Sequence, residues 1–301
     1  MKRWLKRIGI GVLALVVLIG IAAGTAFTVT NKHVNRKYDI KAEAIVAPTD
    51  SATVERGEHL ATAIGKCVDC HGDGFKGQVM MDDPAFGRLA ASNLTTGEGG
   101  VGTKYKTDAD WERAIRHGVR PDGSALIFMP AGEYNSFTEE DVRAVIAYVK
   151  SVPAVNNTVP TPKLGPIARG LYLAKQLPLL PVEEIDHSAP HKQSFAPAPT
   201  KEYGAYMVRV GGCVGCHNAN LGGGAGHGGP PAANLTPGGD LKNWTEANFT
   251  TALRTGKRPD GRVLDASMPW RYTAGMTNDE IKAVWEHLKT IPAVETKAAK
   301  K

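Results

Sequence analysis

The sequence is short of cysteine, of strand signals and of basic surface in its folded regions. Its four cysteines, Cys67, Cys70, Cys213 and Cys216, all fall in two Cys-x-x-Cys-His clusters, "GKCVDCHGDG" at 65–74 and "GGCVGCHNAN" at 211–220. Neither cluster is followed by a second pair at the spacing of about 15–20 residues that a zinc ribbon needs. The net charge of +6 belongs to the ends of the chain. Residues 1–49 carry 8 Lys and Arg against 2 Asp and Glu, residues 50–155 carry 11 against 16, and residues 200–295 carry 10 against 9. With no basic face in either central region, nucleic acid is not an expected partner. "GDGFKG" at 72–77 and "GAGHGG" at 224–229 fit G-x-G-x-x-G, but neither opens a clear helix, so no dinucleotide site is expected. Strand signals are nearly absent, which points to an all-α fold.

What is present is chemistry at a fixed spacing. A redox dithiol would use the cysteines without the adjacent His, and a zinc site would need more ligands; covalent haem uses all three residues. Two thiols add to the two vinyl groups of one porphyrin, and the following His ligates the iron. Two covalent haem c groups are therefore expected, with His71 and His217 as axial ligands. Each half also has one Met-Pro dipeptide, Met129 and Met268, lying 58 and 51 residues after its His. A thioether suits iron and raises its potential, so these are the expected sixth ligands; the plainer reading, a core methionine, is weakened by the coincidence of register. Pro84 and Pro230 each lie 13 residues after their His, which makes their carbonyls candidates to hold the imidazole. Asn93 and Asn234 open matching "NLT" triplets. Arg116 with Arg254, and Arg120 with Arg258, recur in register and are candidates to meet haem propionates, against the plainer reading of a solvated helix face and turn.

The two halves align as copies. "FTEEDVRAVIAYVKSVPAV" at 137–155 matches "MTNDEIKAVWEHLKTIPAV" at 276–294, each with a capping threonine and an apolar stripe at helical spacing. "TDADWERAIRHGVRPDG" matches "TEANFTTALRTGKRPDG" upstream. The expected domains are residues 50–155 and 200–295. The stretch 156–199 between them, with eight prolines, is either a free tether or a strap. Its apolar run "IARGLYLAKQLPLLP" favours a strap with Leu171, Leu173, Leu177, Leu179 and Leu180 buried. Residues 296–301 are a basic tail. Residues 1–49 hold an uncharged run from Ile8 to Val29 behind Lys2, Arg3, Lys6 and Arg7, long enough to span a bilayer. A cleaved signal peptide is the rival reading, and the run's continuation past its small residues favours a retained anchor. Residues 38–50 are expected to be accessible chain.

These marks resemble the class I cytochromes c, nearest the membrane-bound c-type subunits of bacterial alcohol, aldehyde and gluconate dehydrogenases. The resemblance rests on "CVDCHG" with "CVGCH", "NLTTG" with "NLTPGG", the two "RPDG" turns, "FMP" with "SMP" and the two "PAV" endings. It implies two tandem cytochrome c-like haem domains behind an N-terminal transmembrane helix. The chain would carry single electrons between a respiratory dehydrogenase or quinol-oxidising complex and a terminal oxidase, with redox proteins as partners and no small-molecule substrate. The resemblance also implies a bacterial inner-membrane protein with its haem domains in the periplasm. A terminal-oxidase subunit and, more remotely, a di-haem peroxidase are the alternatives; the paired Met-Pro motifs argue against the peroxidase.

Overall fold

The computed structural model describes residues 2–224 and 231–296. A long helix α1 (Lys2–Val34) leads into two copies of one helical arrangement. The first copy holds α2 (Ser51–His59), a π turn (Leu60–Ile64), α3 (Cys67–His71), α4 (Asp108–His117), α5 (Ala131–Tyr134) and α6 (Glu139–Ser151). After α7 (Pro166–Leu173), the second repeats it as α8 (Lys201–Val210), α9 (Cys213–His217), α10 (Glu246–Thr255), α11 (Trp270–Thr273) and α12 (Asn278–Thr290). The helices begin where their caps predict. Thr107 and Thr245 close capping boxes with Asp110 and Asn248, Thr277 does so with Glu280, and Thr138 accepts from the Asp141 N–H. Helices α4 and α10 end in left-handed Gly118 and Gly256.

In each copy the first helix crosses the last at backbone contact. A Cβ on Gly57 would stand 1.9 Å from the Ala144 carbonyl oxygen, and one on Gly204 would stand 1.9 Å from that of Ala283. Only glycine permits this approach. It brings the expected stripes, Val142, Val145, Ile146 and Val149 on α6 and Ile281, Val284, Trp285 and Leu288 on α12, into the core. Burial of such side chains stabilises the fold by about 1.5–3 kcal/mol each.

Strands are few: β1 (Gln78–Asp83), β2 (Gly87–Ala91) and the two-residue β3 (Lys163–Leu164) form an antiparallel sheet in that order. The hairpin escaped the sequence because β1 buries almost nothing; Val79, Met80 and Met81 are all exposed, so no alternation marks it.

The linker lies against the first copy. Leu177, Leu179 and Leu180 are buried with Val119, Ala125 and Val182, and Leu171 packs beside them. Leu173, expected to be buried, is instead exposed. Further on, the Glu139 and Glu140 N–H groups at the start of α6 donate to Lys192 O (2.9 Å) and Gln193 O (3.0 Å). Phe195 then stacks on Tyr206 of the second copy, 4.8 Å between centroids. The stretch 38–50 is also tied down, against expectation. Tyr38 N–H donates to Gly123 O (2.8 Å), Ala47 N–H donates to Asp108 Oδ2 (2.9 Å), and Ile45 and Ala47 are buried.

Gly57→Ala and Gly204→Ala should each overpack one helix crossing. A loss of about 1–3 kcal/mol is expected from each, read as a lowered thermal midpoint. An unchanged midpoint would mean that the crossing relaxes freely.

Candidate cofactor sites and the interface between them

Each Cys-x-x-Cys-His segment is one helical turn entered and left through left-handed backbone. Lys66 (φ 52°) and Gly212 (φ 67°) precede the first cysteines, and Gly72 (φ 72°) and Asn218 (φ 65°) follow the histidines. Phe75 (φ 53°) and Leu221 (φ 56°) repeat the pattern three residues later. Non-glycine residues rarely adopt positive φ. Their recurrence at matched positions means that the path around the segment is set by what it encloses rather than by local preference.

His71 Nδ1 donates to Ser92 O at 2.8 Å and His217 Nδ1 to Ala233 O at 2.7 Å. This fixes the tautomer and leaves Nε2 unprotonated in both rings, the state a ligand needs. Burial lowers both imidazole pKa values, outweighing the opposing effect of the carbonyl, so each ring is held neutral, as a ligand must be. Burial also pushes the Cys67 thiol up to about 12 and the Cys70 thiol up to about 11, and raises that of Cys213. Thiols so held are poor thiolates, which counts against a redox dithiol.

One expectation about the supporting residues is corrected. Ser92, not Pro84, supplies the carbonyl to His71. Pro84 sits in the turn between β1 and β2. Because the hairpin lengthens the first copy, counting from the histidine misaligns the loops; both true acceptors are the residue just before "NLT". Pro230 lies outside the described residues. Asn93 and Asn234 act as clamps. Asn93 Nδ2 donates to Val155 O (2.7 Å) while its Oδ1 accepts from Thr95 N–H (2.9 Å). Asn234 does the same with Val294 O (2.6 Å) and Thr236 (2.9 Å), so each ties its loop to the chain after the last helix. Arg116 is fully buried and donates to Glu43 Oε2 (2.8 Å) and Phe137 O (2.7 Å). Arg254 donates to Ala274 O and to Asn278 Oδ1. Both guanidiniums are thus engaged by protein acceptors. Arg258 pairs with Asp240 at 2.7 Å and lies over Trp244.

Arg120, by contrast, lines a cavity together with Cys67, Cys70, His71 and Met129. The other walls are largely apolar, with Leu94, Trp111, Ile115, Leu126 and Val145 among them. An apolar cleft with two thiols, a neutral imidazole and a thioether on its wall, and a guanidinium to meet an acid edge, has the donor set and polarity for haem. Met268, like Met129, is half-buried against the core. The two methionines are positioned differently. Phe128, at φ 63°, donates its N–H to Leu179 O of the linker (2.9 Å), whereas the turn before Met268 is held by Asp265, whose Oδ1 accepts from Ser267 N–H (2.9 Å).

Residues 202–292 match the family model for cytochrome c, and residues 52–149 match that for the cbb3-type cytochrome c oxidase subunit III. The chain carries two cytochrome c domains. It is homologous to the cytochrome c subunit of a quinone-dependent alcohol dehydrogenase from Gluconacetobacter polyoxogenes, at 28% identity over 81% of this chain and 57% of that protein. The fructose dehydrogenase cytochrome subunit of Gluconobacter japonicus is 26% identical over 83% of this chain and 55% of its own length. The chain thus spans little more than half the length of these relatives. A diheme cytochrome c-type protein of Cereibacter sphaeroides is 26% identical over 94% of this chain and 97% of its own. The chain holds two haem c groups, one for each cytochrome c domain.

The two cytochrome c domains meet through their attachment segments, and the contacts pair by exchange of domain roles. Aligned on their cysteines, Asp69 and Gly215 are equivalent, as are Glu133 and Tyr272 counted from the Met-Pro dipeptides. Glu133 Oε1 lies 3.0 Å from where a Cβ on Gly215 would stand, and Tyr272 lies close enough to Asp69 for the carboxylate, after burial, to help push the tyrosine's pKa up to about 12. The methionine arm of each domain therefore rests on the haem-attachment turn of the other. Between them Lys66 Nζ donates to Ile64 O (2.8 Å) and, across the boundary, to Gly211 O (2.5 Å). The first helices add a second layer. His59 Nε2 lies 2.8 Å from Glu280 Oε2, and Tyr206 donates to Asp141 Oδ2 at 2.5 Å. Arg56 joins the pair, 3.0 Å from Asp141 and 3.5 Å from Glu280. Nothing in the first copy alone marks His59, because its partner Glu280 lies in the second.

Burial pushes the Glu280 carboxyl up, but the hydrogen bonds from His59 and the Thr277 N–H and the charge of Arg56 outweigh it, and its pKa is lowered overall. A carboxylate depressed in the folded state stabilises above its unfolded pKa, and that contribution is lost as pH falls through the folded value. The paired domains should therefore melt together at neutral pH and lose stability on acidification below the ordinary carboxylate range. Glu280→Gln should flatten part of that acid dependence in thermal melts. An identical acid profile in the variant would show that this carboxylate does not hold the interface.

Proposed function

We propose that this cytochrome is a membrane-anchored relay that passes single electrons from a respiratory dehydrogenase or quinol-oxidising complex toward a terminal oxidase. The observation that carries it is the contact between the two attachment turns at Lys66 and Gly211, which supports transfer in series between neighbouring haems. In this reading Cys67 and Cys70, and Cys213 and Cys216, hold the haems as thioethers. His71 with Met129, and His217 with Met268, ligate the irons, and Arg120 meets a propionate. The haem supplies reversible one-electron chemistry; the chain supplies neutral imidazoles, an apolar wall and a rigid boundary. The names of the dehydrogenase-subunit relatives support a dehydrogenase as donor. Helix α1, long and apolar enough to cross a membrane, supports an anchor, with the haem domains on the periplasmic side. The match of residues 52–149 to an oxidase subunit family favours a second reading, a c-type subunit within a terminal oxidase.

Mild-detergent purification from membranes, with identification of the bound chains, separates these readings: a dehydrogenase supports the first, oxidase subunits the second. Mass spectrometry should find two haem additions that survive acid-acetone extraction, and a single or extractable haem would overturn the ligand assignment. Met129→Ala and Met268→Ala should each lower the potential of one haem and open it to carbon monoxide while the other keeps its low-spin spectrum. Full carbon monoxide binding at one haem of the unmodified protein, with rapid peroxide turnover, would favour an enzyme instead.

A further inference from the structure

Helix α7 turns the usual pattern of a surface helix inside out. Its exposed positions, with its C-cap, are Pro166, Ile167, Gly170, Leu173 and Ala174, none of which has a polar side chain. Ile167 is 51% exposed and Leu173 40%. Its polar side chains point the other way. Arg169 donates to Asn31 Oδ1 (2.9 Å) and Phe27 O (3.3 Å) and lies 4.4 Å over the Phe27 ring. Tyr172 donates to Glu183 (2.5 Å) and meets the His33 ring edge-on. A helix facing water carries its polar residues outward. This one carries them inward, onto α1.

The depth of that contact identifies the solvent for the apolar face. The uncharged run of α1 from Ile8 to Val29 is about 33 Å long at about 1.5 Å per residue, close to the roughly 30 Å of a bilayer's hydrocarbon core. Arg169 grips α1 at Phe27 and Asn31, where that run ends. Exposed cations, Lys32 and Arg36 beyond the run and Lys175 at the end of α7, lie at the level of lipid phosphates. Glu183, the carboxylate that meets both α1 and α7, is already engaged by His33, Tyr38 and Tyr172.

We propose that α7 is an interfacial foot: its Pro166–Ile167–Gly170–Leu173–Ala174 face rests in the boundary between headgroups and acyl chains, and the basic collar around it binds anionic headgroups. This rests on the reading of α1 as a membrane anchor. A helix lying in that plane buries its apolar face about 5–10 Å into the boundary. Through β3, which precedes α7 and pairs with β2, and through the buried Leu177–Leu180 segment, which follows it, the foot fixes the height and tilt of the first haem domain over the membrane.

The test uses the full-length holoprotein in vesicles of phosphatidylcholine and phosphatidylglycerol. The native cysteines are consumed as thioethers, so one introduced cysteine takes a nitroxide selectively. Ile167→Cys and Leu173→Cys are compared with Leu15→Cys inside α1 and Lys282→Cys on the second domain, each in the reduced state with an unaltered haem spectrum. Collision with dissolved oxygen, which concentrates in lipid, is measured against collision with a water-soluble nickel chelate. The expected result is an oxygen-to-nickel ratio several-fold higher at 167 and 173 than at 282, approaching that at 15, with nickel access at 167 and 173 falling further as phosphatidylglycerol increases. Water-like ratios at 167 and 173 with a lipid-like ratio at 15 would overturn the foot and leave the anchor standing. Exclusion of both reagents at 167 and 173 would mean that a protein, another copy or a partner, covers the face, and would equally overturn it. A water-like ratio at 15 would remove the anchor itself.

Discussion

Each haem domain depends on one close contact, the crossing of its first helix over its last at Gly57 and Gly204. That contact brings the chain entering the Cys-x-x-Cys-His turn down onto the helix that closes the domain. From it follow the buried stripes of α6 and α12 and the position from which Asn93 and Asn234 can reach the chain beyond. The same first helices carry the residues that join the domains. Arg56 and Tyr203 lie one residue before the two glycines, and His59 and Tyr206 two residues after them. Asp141 and Glu280, the carboxylates they meet, stand at equivalent first-turn positions of α6 and α12. One alignment therefore yields both the domain and its dimer-like pairing. The second copy met at the interface is the next stretch of the same chain.

The repeated features were legible because each has a local physical cause. Capping threonines, left-handed glycines after α4 and α10, and the helical stripes depend on near neighbours, and they appear at the predicted places. The Cys-x-x-Cys-His turns could be read for the same reason. What failed did so where a distance along the chain had to be counted through an insertion. The acceptor for His71 was sought 13 residues on and stands 21 on, because β1 and β2 intervene; for His217 the true separation is 16. Counting backward from "NLT" would have found both. The protein acceptors of Arg116 and Arg254 were hidden for another reason. Register shows that two residues are equivalent, but not which of several buried acceptors they satisfy, and Glu43, which engages Arg116, comes from the stretch before the domain.

Left-handed residues at the attachment turns show a further limit. Glycine would have announced them, and at Gly72 and Gly212 it does, but Lys66, Phe75, Asn218 and Leu221 also hold positive φ. A bulky residue held at positive φ costs roughly 1–3 kcal/mol, so it persists only where the surroundings over-determine it. At Lys66 the compensation is visible. The strained backbone aims the ammonium at Ile64 and Gly211, turning a local cost into a contact between domains.

The linker explains why the two domains are not interchangeable. Running from β3 and α7, it touches α1 through Arg169, passes Leu179 under Phe128 beside Met129, lays Lys192 and Gln193 on the start of α6 and ends with Phe195 on Tyr206. The Met129 arm thus takes its shape from chain outside its own domain, whereas the turn before Met268 is stiffened from within by Asp265. Loosening the linker would act on the Met129 side and leave the Met268 turn intact. The segment that reads in sequence as a proline-rich spacer is the part of the molecule through which the position of α1 and the shape of the first cofactor site are mechanically joined.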